Sequence, residues 1–186
     1  MNFLDLFRQS GALLEGHFRL SSGLHSGRYL QSALVLQHPE HAAVLGAAIA
    51  DRVRDLKANV VLSPALGGIV IAHEVARALG VRAIFAERQD GKLALRRGFT
   101  LSPSDRVLVV EDVITTGGST VETIDVAEAA GAQVLAAAAI IDRGEGAARV
   151  RVPLIPLVKL EVPTHQPDTC PMCAKGDPVV KPGSRA

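Results

Sequence analysis

Short apolar runs alternate with helical segments through the middle of the chain, and this alternation constrains the fold more than any other feature of the sequence. Four runs rich in Val, Ile, Leu and Ala are predicted as strands: 59–65, 81–88, 106–112 and 133–143. Two intervening segments, each closed by a glycine, are predicted as helices: 67–80 and 119–131. Strands joined through helices lie parallel in one sheet, so we expect an α/β fold with a central, mainly parallel sheet flanked by helices. The alanines of the last run also suit a helix.

The segments on either side of this alternation are less regular. A stripe of apolar residues from Phe3 to Leu14 indicates a helix, although Gly11 weakens its second half. A polar, glycine-rich stretch at 16–31 is predicted as short strands and turns, and a helix is predicted to begin at Pro39. Prolines interrupt the apolar stretch 152–163, which is therefore an edge strand at best.

Length and charge bound the classes of protein that this chain can belong to. Its 186 residues fit one domain over 1–163, followed by a polar, proline-rich tail over 164–186. The net charge of +1 predicts no broad basic surface for nucleic acid or for an anionic membrane. No apolar run approaches the roughly 18 residues of a membrane span, and the N-terminus does not resemble a secretory signal. Two cysteines are too few for a disulfide scaffold, so we expect a cytoplasmic protein with no nucleic-acid or membrane partner.

The most informative segment is RVLVVEDVITTGGST, residues 106–120. An apolar strand ends in two adjacent carboxylates, Glu111 and Asp112, and Gly117 and Gly118 follow just before a helix. Glycines let the backbone turn sharply, and the first amides of a helix, with nearby hydroxyls, form a pocket for a phosphate dianion. Two carboxylates would repel a phosphate, so their position beside this pocket needs a reason. A sugar attached to the phosphate provides one, because carboxylates bind sugar hydroxyls and stabilise positive charge that develops on the sugar ring. A glycine-rich turn with solvated acids is the alternative, and the spacing fits neither a P-loop nor a dinucleotide fingerprint.

The string VLVVEDVITTGGST closely resembles the phosphoribosyl-diphosphate (PRPP) signature of the type I phosphoribosyltransferases. In that family the two acids contact the ribose hydroxyls and the following loop holds the 5-phosphate. The resemblance implies that family's fold, and Mg²⁺ that is held mainly by PRPP and linked to the acids through water. It assigns these residues to PRPP: Glu111, Asp112, Val113, Ile114, Thr115, Thr116, Gly117, Gly118 and Ser119. Thr120 is a further candidate.

Further segments resemble orotate phosphoribosyltransferase, and together they cover most of the chain. The segments are 16–31, 63–76, 85–99 and 140–146. The first resembles that family's small N-terminal hood, which covers the base and comprises about 1–35 with part of the C-terminal region. The second resembles its pyrophosphate loop, and assigns Leu66, Gly67 and Gly68 to PRPP.

The other two segments carry the remaining implied site residues. The third resembles a mobile loop that the subunits of a homodimer share, and places Arg88 and Lys92 on the pyrophosphate of the partner subunit. These two cations and the two acids then form the catalytic set. Thr115 and Arg143 are assigned to orotate, whose carboxylate suits a planar guanidinium. From the residues alone, 88–97 also suits a solvated charged hairpin, and Arg143 also suits a surface arginine.

This chain departs from the better-known enzymes where a lysine, a histidine or a Tyr-Lys pair is common. The positions are Ser21, Leu66, Gly67, Gln89 and Ala94. Residues that are candidates to supply the missing charge are His25, Arg28, Arg96 and Arg97. The departures leave the base open, so a purine or uracil phosphoribosyltransferase is one alternative. A second is a PRPP-binding regulator of the same fold that binds nucleic acid, and a third, which the PRPP motif and a CxxC suggest together, is a DNA-uptake accessory protein.

The segment CPMCAKGDP contains a single CxxC, formed by Cys170 and Cys173, in a turn that resembles a zinc knuckle. A structural zinc site needs four ligands. His165 is a candidate third ligand, and a dimer would offer four thiolates. The alternative is a pair of reduced thiols, or a redox pair, in the tail.

Overall fold

The structure is a computed structural model, and it describes residues 2–20, 22–144 and 149–182. Positions named above that lie outside the described residues are Ser21, Glu145 and Gly146. Within the described part of the chain, no helix combines the length and the apolar character that crossing a membrane requires.

The chain folds into two compact units, which contain the following elements. The terminal unit comprises Met1–Val35 and Glu161–Ala186, and the sheet unit comprises Leu36–Leu160. The helices are α1 (Phe3–Gln9), α2 (Ser32–Leu36), α3 (Pro39–Val53), α4 (Gly68–Leu79), α5 (Gly118–Ala129) and α6 (Pro171–Ala174). The strands are β1 (Leu13–Arg19), β2 (His25–Leu30), β3 (Val60–Pro64), β4 (Arg82–Gln89), β5 (Lys92–Leu95), β6 (Arg106–Ile114), β7 (Gln133–Asp142), β8 (Leu154–Lys159) and β9 (Thr164–His165).

The sheet unit contains a six-stranded sheet in the order β5-β4-β3-β6-β7-β8. All neighbouring pairs are parallel except β4 and β5, which are antiparallel. The predicted α/β fold with a mainly parallel sheet is therefore confirmed, and the alanine-rich run is strand β7 rather than a helix. The proline-interrupted β8 pairs with β7 alone at one edge, where a missing N–H is tolerated.

Burial of aliphatic strands holds the sheet unit together. All of β3 is buried, and so is the middle of β6, which is the pattern of a parallel sheet covered on both faces. In β7 the run Ala136–Ala139 is fully buried, and such small side chains let helices pack closely against the sheet. Burying one Val, Leu or Ile side chain stabilises a fold by about 1.5–3 kcal/mol.

The order of the strands creates a switch point between β3 and β6. From β3 the chain passes through α4 to β4 on one side, and from β6 it passes through α5 to β7 on the other side. Because such crossovers are right-handed, α4 and α5 cover opposite faces of the sheet. Ligands of open α/β sheets bind outside the carboxyl ends of the two strands at this point.

The terminal unit contains an antiparallel three-stranded sheet in the order β1-β2-β9. The segment after Thr164, predicted as a tail, supplies β9 and then runs beside β1, where Val180 N–H donates to the carbonyl oxygen of His17 at 2.8 Å. The helix predicted from Phe3 to Leu14 is too long. The helix α1 ends at Gln9, and the left-handed Gly11 (φ +67°) turns the chain into β1.

Candidate active site

Two acids stand at the carboxyl end of β6, at the switch point of the sheet. Successive strand residues face opposite sides of a sheet, and here the environments differ accordingly. The side chain of Glu111 is only 6% exposed, whereas Asp112 is half-buried. Beyond them Val113 is half-buried and Ile114 is buried.

Hydroxyl groups from the first turn of α5 hold the carboxylate of Glu111. Ser119 Oγ donates to Glu111 Oε1 at 3.1 Å and lies 3.2 Å from Oε2, and the buried Thr120 hydroxyl donates to Oε1. Burial raises the pKa of Glu111 to about 7; the Thr120 hydroxyl opposes this rise, the charge of Asp112 adds to it, and the Ser119 hydroxyl also opposes it. The sequence made Ser119 and Thr120 candidates to bind the phosphate, but their hydroxyls are directed to Glu111 of β6.

The loop between β6 and α5 has the local structure of an anion pocket. Thr115 and Thr116 are exposed, and Gly117 adopts a left-handed φ of +75° that few other residues tolerate. This turn begins α5, whose first amides have no partner within the helix and carry the positive end of its dipole. Among the described residues, a Cβ atom at Gly118 would have a single neighbour within 4 Å outside its own helix and adjoining residues, Thr116 Oγ1 at 3.9 Å, so the start of the helix is not crowded.

The loop after β3 comes against the acidic pair. A Cβ atom at Gly67 would lie 2.9 Å from both carboxylate oxygens of Asp112, and one at Gly68 would lie 3.1 Å from the carbonyl oxygen of Val110. The peptide bond Ala65–Leu66 is cis, and Leu66 is 82% exposed. Glycine at position 67, one of the departures from the better-known enzymes, thus brings this loop into contact with Asp112.

Arg143 follows β7, the neighbour of β6, so its backbone reaches the same edge of the sheet. Its N–H donates to the carbonyl oxygen of Ile114 at 2.9 Å, one residue before Thr115. The buried Asp142 fixes the turn that follows, since its Oδ1 accepts the N–H of Gly144 at 2.9 Å. Both residues that the sequence assigns to the base, Thr115 and Arg143, therefore lie at adjoining strand ends.

The cationic segment 88–97 is a hairpin of β4 and β5. Its turn residues Asp90 and Gly91 have φ angles of +49° and +81°, as a type I′ turn requires. The guanidinium of Arg88 donates to both carboxylate oxygens of Glu122 on α5, at 2.6 and 2.9 Å. Lys92 is exposed. No local pattern in the sequence marks Glu122 as the partner of Arg88, because 34 residues separate them.

Two of the candidate replacement cations already pair with an acid, and a third is buried. Arg97 forms a bidentate pair with Glu87 at 2.7 and 2.8 Å, and Arg28 lies 3.5 Å from a carboxylate oxygen of Glu15. The third, His25, is only 6% exposed, and burial, His17 and Arg19 all lower its pKa, which disfavours a positive charge on its ring.

Comparison with known proteins agrees with this geometry. The family model of the phosphoribosyl transferase domain matches residues 32–166. Orotate phosphoribosyltransferase of Carboxydothermus hydrogenoformans is 52% identical over 187 residues, which cover 100% of this chain and 98% of that protein. The chain belongs to the orotate phosphoribosyltransferase family.

Other members of the orotate phosphoribosyltransferase family extend this result. The enzyme of Chlorobium phaeobacteroides is 52% identical over 183 residues, which cover 98% of this chain and 95% of that protein. The crystal structure of orotate phosphoribosyltransferase from Aeropyrum pernix matches with a TM-score of 0.72 and 28% identity, over 84% of this chain and 93% of that one. The predicted type I phosphoribosyltransferase fold is thereby confirmed.

Proposed function

We propose that this protein transfers the 5-phosphoribosyl group of PRPP to orotate, giving orotidine 5′-phosphate and pyrophosphate in pyrimidine nucleotide biosynthesis. The observation that carries the proposal is the acidic pair Glu111 and Asp112 at the switch point, with a glycine-hydroxyl loop and a helix N-terminus directly after it. Membership of the orotate phosphoribosyltransferase family supports the choice of substrates.

The acidic pair binds the sugar and stabilises its transition state. Glu111 and Asp112 accept hydrogen bonds from the 2′- and 3′-hydroxyls of the ribose. The bond from C1 to pyrophosphate breaks through an oxocarbenium-like ring, and the two carboxylates stabilise the positive charge that develops there. The hydroxyls of Ser119 and Thr120 hold the Glu111 carboxylate in one orientation, so that little rearrangement is needed during the reaction.

The loop 115–119 binds the 5-phosphate. Its exposed threonines offer hydroxyls, and the first amides of α5 offer N–H groups together with the positive end of the helix dipole. Gly117 provides the left-handed turn that directs the chain into the helix. This pocket binds the phosphate with backbone groups, which suits a chain whose net charge is only +1.

The residues present fit the Mg²⁺ that this family implies. Glu111 and Asp112 are adjacent carboxylates at one strand end, and oxygen donors of this kind, together with phosphate oxygens, are what Mg²⁺ prefers. PRPP would hold most of the ion, and Glu111 and Asp112 would contact it through water. The ion would neutralise charge on the departing pyrophosphate.

The pyrophosphate is bound by Leu66, Gly67 and Gly68 of one subunit and by Arg88 and Lys92 of its partner in a homodimer. The close approach of Gly67 to Asp112 supports a pyrophosphate beside the sugar site. Arg88 exchanges its pairing with Glu122 for the pyrophosphate when substrate binds, and closure of this hairpin excludes water that would hydrolyse PRPP.

Arg143 and Thr115 bind orotate. The guanidinium of Arg143 pairs with the carboxylate of orotate, a group that uracil and the purines lack. The N1 atom of orotate forms the new bond to C1 as the bond from C1 to pyrophosphate breaks, and the proton of N1 passes to the released pyrophosphate. We assign the enzyme to the cytoplasm, in keeping with its low cysteine content.

The full-length chain, incubated with PRPP, Mg²⁺ and single bases, provides the test. We expect pyrophosphate release with orotate, and none above background with uracil, adenine, guanine or hypoxanthine. Arg143→Lys keeps the charge but loses bidentate pairing, so it should raise KM for orotate about tenfold and leave PRPP binding unchanged. Release with another base alone would favour a salvage enzyme, and PRPP binding without any turnover would favour a regulator.

A further inference from the structure

Four side chains of types that can bind a metal meet in the terminal unit, and the proposed reaction uses none of them. His17 lies on β1, His25 lies on β2, and Cys170 and Cys173 lie at and within α6. One ligand atom from each lies within 4.8 Å of all the others. Both histidines and Cys170 are buried.

We propose that His17, His25, Cys170 and Cys173 bind one zinc ion in a tetrahedral site that fastens the C-terminal segment to the β1–β2 hairpin. Two nitrogen and two sulfur ligands are a common set in structural zinc sites. Four protein ligands complete its coordination, so the ion is structural and leaves no position for a substrate.

The distances between the ligand atoms fit this geometry. Tetrahedral zinc with normal bond lengths places a nitrogen and a sulfur ligand about 3.5 Å apart, and two nitrogens about 3.3 Å apart. His17 Nε2 lies 3.6 Å from Cys170 Sγ and 3.7 Å from Cys173 Sγ, and His25 Nδ1 lies 3.2 Å from Cys173 Sγ. The two ring nitrogens are 2.8 Å apart and share a hydrogen bond, which the ion would replace.

The backbone of Asp177 orients His17 as a zinc ligand. His17 Nδ1 lies 2.9 Å from the carbonyl oxygen of Asp177, an atom that can only accept a hydrogen bond. Nδ1 therefore carries the proton, and the lone pair of Nε2 is directed towards the two sulfurs. A histidine that binds a metal through one nitrogen commonly donates from the other in this way.

Local structure on both sides of the cluster brings the ligands together. In the β1–β2 hairpin Arg19 pairs with His25, and an irregularity between Glu15 and Phe18 lets the rings of His17 and His25 approach to 4.8 Å between their centroids. The cysteine turn is closed by Ala174 N–H to the carbonyl oxygen of Cys170, at 3.1 Å.

The ligand set differs from those that the sequence suggested. His165 pairs with His25 across β2 and β9 but does not belong to the cluster found among the described residues. One chain supplies all four ligands, so thiolates from a second subunit are not needed. No local pattern in the sequence links the histidines to the cysteines, because about 150 residues separate them.

The terminal unit buries few apolar side chains, and a bound metal would supply stability that so small a core does not. Its buried apolar residues among those described are Phe7, Ala12, Phe18, Val35, Val162 and Cys170. Small units with cores of this size are commonly stabilised by a disulfide or by a metal. Zinc would cross-link residues about 150 positions apart in the sequence, as the pairs from His17 to the cysteines indicate.

Metal analysis of the untagged full-length protein, purified without chelators and under reducing conditions, tests the proposal. We expect about one zinc ion per chain, and loss of most of it in His17→Gln, His25→Gln and Cys170→Ser. His165→Gln is the matched control and should keep its zinc. The proposal is overturned if the protein holds no zinc after incubation with equimolar Zn²⁺, or if Cys170 and Cys173 form a disulfide that persists in the reductant. It is also overturned if the protein holds half a zinc ion per chain and the His17 and His25 variants hold the same amount.

Cobalt replacement provides a measurement that does not depend on whether the variants fold. The wild-type chain with one equivalent of Co²⁺ should show the intense visible bands of tetrahedral cobalt and a near-ultraviolet band from thiolate ligands. The weak spectrum of octahedral cobalt would overturn the proposal. Neither measurement requires turnover, so the zinc site can fail while the proposed reaction stands, and the reverse also holds.

Discussion

The sheet unit and the terminal unit use polar residues in opposite ways. In the sheet unit, buried aliphatic strands and helices form the scaffold, and acids such as Glu111 and Asp112 stand at a strand end where they can meet a ligand. In the terminal unit the apolar core is small, and polar side chains such as His17 and Cys170 occupy its interior. The buried Glu111 thus serves the proposed reaction, whereas the buried His17 and Cys170 serve the proposed zinc site.

This difference between the two units predicts which substitutions lower stability, which lower turnover and which release zinc. Changes in the core of the sheet unit should lower its stability without affecting zinc, and changes at its strand ends should lower turnover without affecting stability. Changes at the ligand cluster should release zinc. The following substitutions test this separation, from the largest expected effect to the smallest.

Ile124→Ala should produce the largest loss of stability. Ile124 is fully buried on α5 within the core of the sheet unit, and truncation of such a side chain costs about 2–5 kcal/mol. Denaturation in urea measures the loss, and elemental analysis should find the zinc content unchanged. Val44→Ala, at a 38% exposed position on α3, is the control and should change stability by less than about 0.5 kcal/mol. Loss of zinc in the Ile124 variant would show that the two units are not independent.

Asp112→Asn should reduce turnover by about a hundredfold or more, the usual effect of removing one placed electrostatic group. Its thermal midpoint and its zinc content should remain those of the wild type, because Asp112 is not part of the core. Steady-state assays of pyrophosphate release measure the effect. Asp51→Asn, which removes an exposed carboxylate from α3, should leave turnover unchanged. Near-normal turnover in the Asp112 variant contradicts the proposed role of the acidic pair.

The sequence predicts the sheet unit better than the terminal unit. The reason is that the residues that define the sheet unit and its site are close together in the sequence, whereas those that meet in the terminal unit are far apart. Strands β3, β6 and β7 are continuous apolar runs, and the acids and glycines of the proposed PRPP loop lie within eight residues, so local patterns in the sequence reveal both. The proposed zinc ligands lie near opposite ends of the chain, and only the folded chain brings them together. The choice of His165 as a third ligand relied on proximity in sequence, which the structure does not bear out.

Gly67→Ala should reduce turnover about tenfold while leaving stability nearly unchanged. The added Cβ would stand 2.9 Å from both oxygens of Asp112, so the carboxylate must move, and a small displacement of a catalytic group lowers the rate. Gly46→Ala offers the converse case, since its Cβ would stand 2.5 Å from Glu74 Cβ between α3 and α4. That variant should lose about 1–3 kcal/mol of stability and keep its turnover per folded molecule. Equal effects of both variants on turnover would argue against a specific contact between Gly67 and Asp112.

Glu122→Gln should have the smallest effect, and it tests whether Arg88 exchanges partners. Arg88 and Glu122 are both well exposed, with side chains 48% and 39% accessible, and such ion pairs stabilise a fold by about 0–1 kcal/mol. If Arg88 must leave Glu122 to bind pyrophosphate, removing the charge of Glu122 lowers KM for PRPP a few-fold.

Glu87→Gln is the matched control for that variant, because Glu87 makes the same kind of bidentate pair on the same hairpin, but with Arg97. It should leave KM for PRPP unchanged. An equal decrease in both variants would indicate a general effect of the added positive charge. An increase in the Glu122 variant alone would mean that the pair with Arg88 builds the site, and that Arg88 acts from its own subunit without exchanging partners.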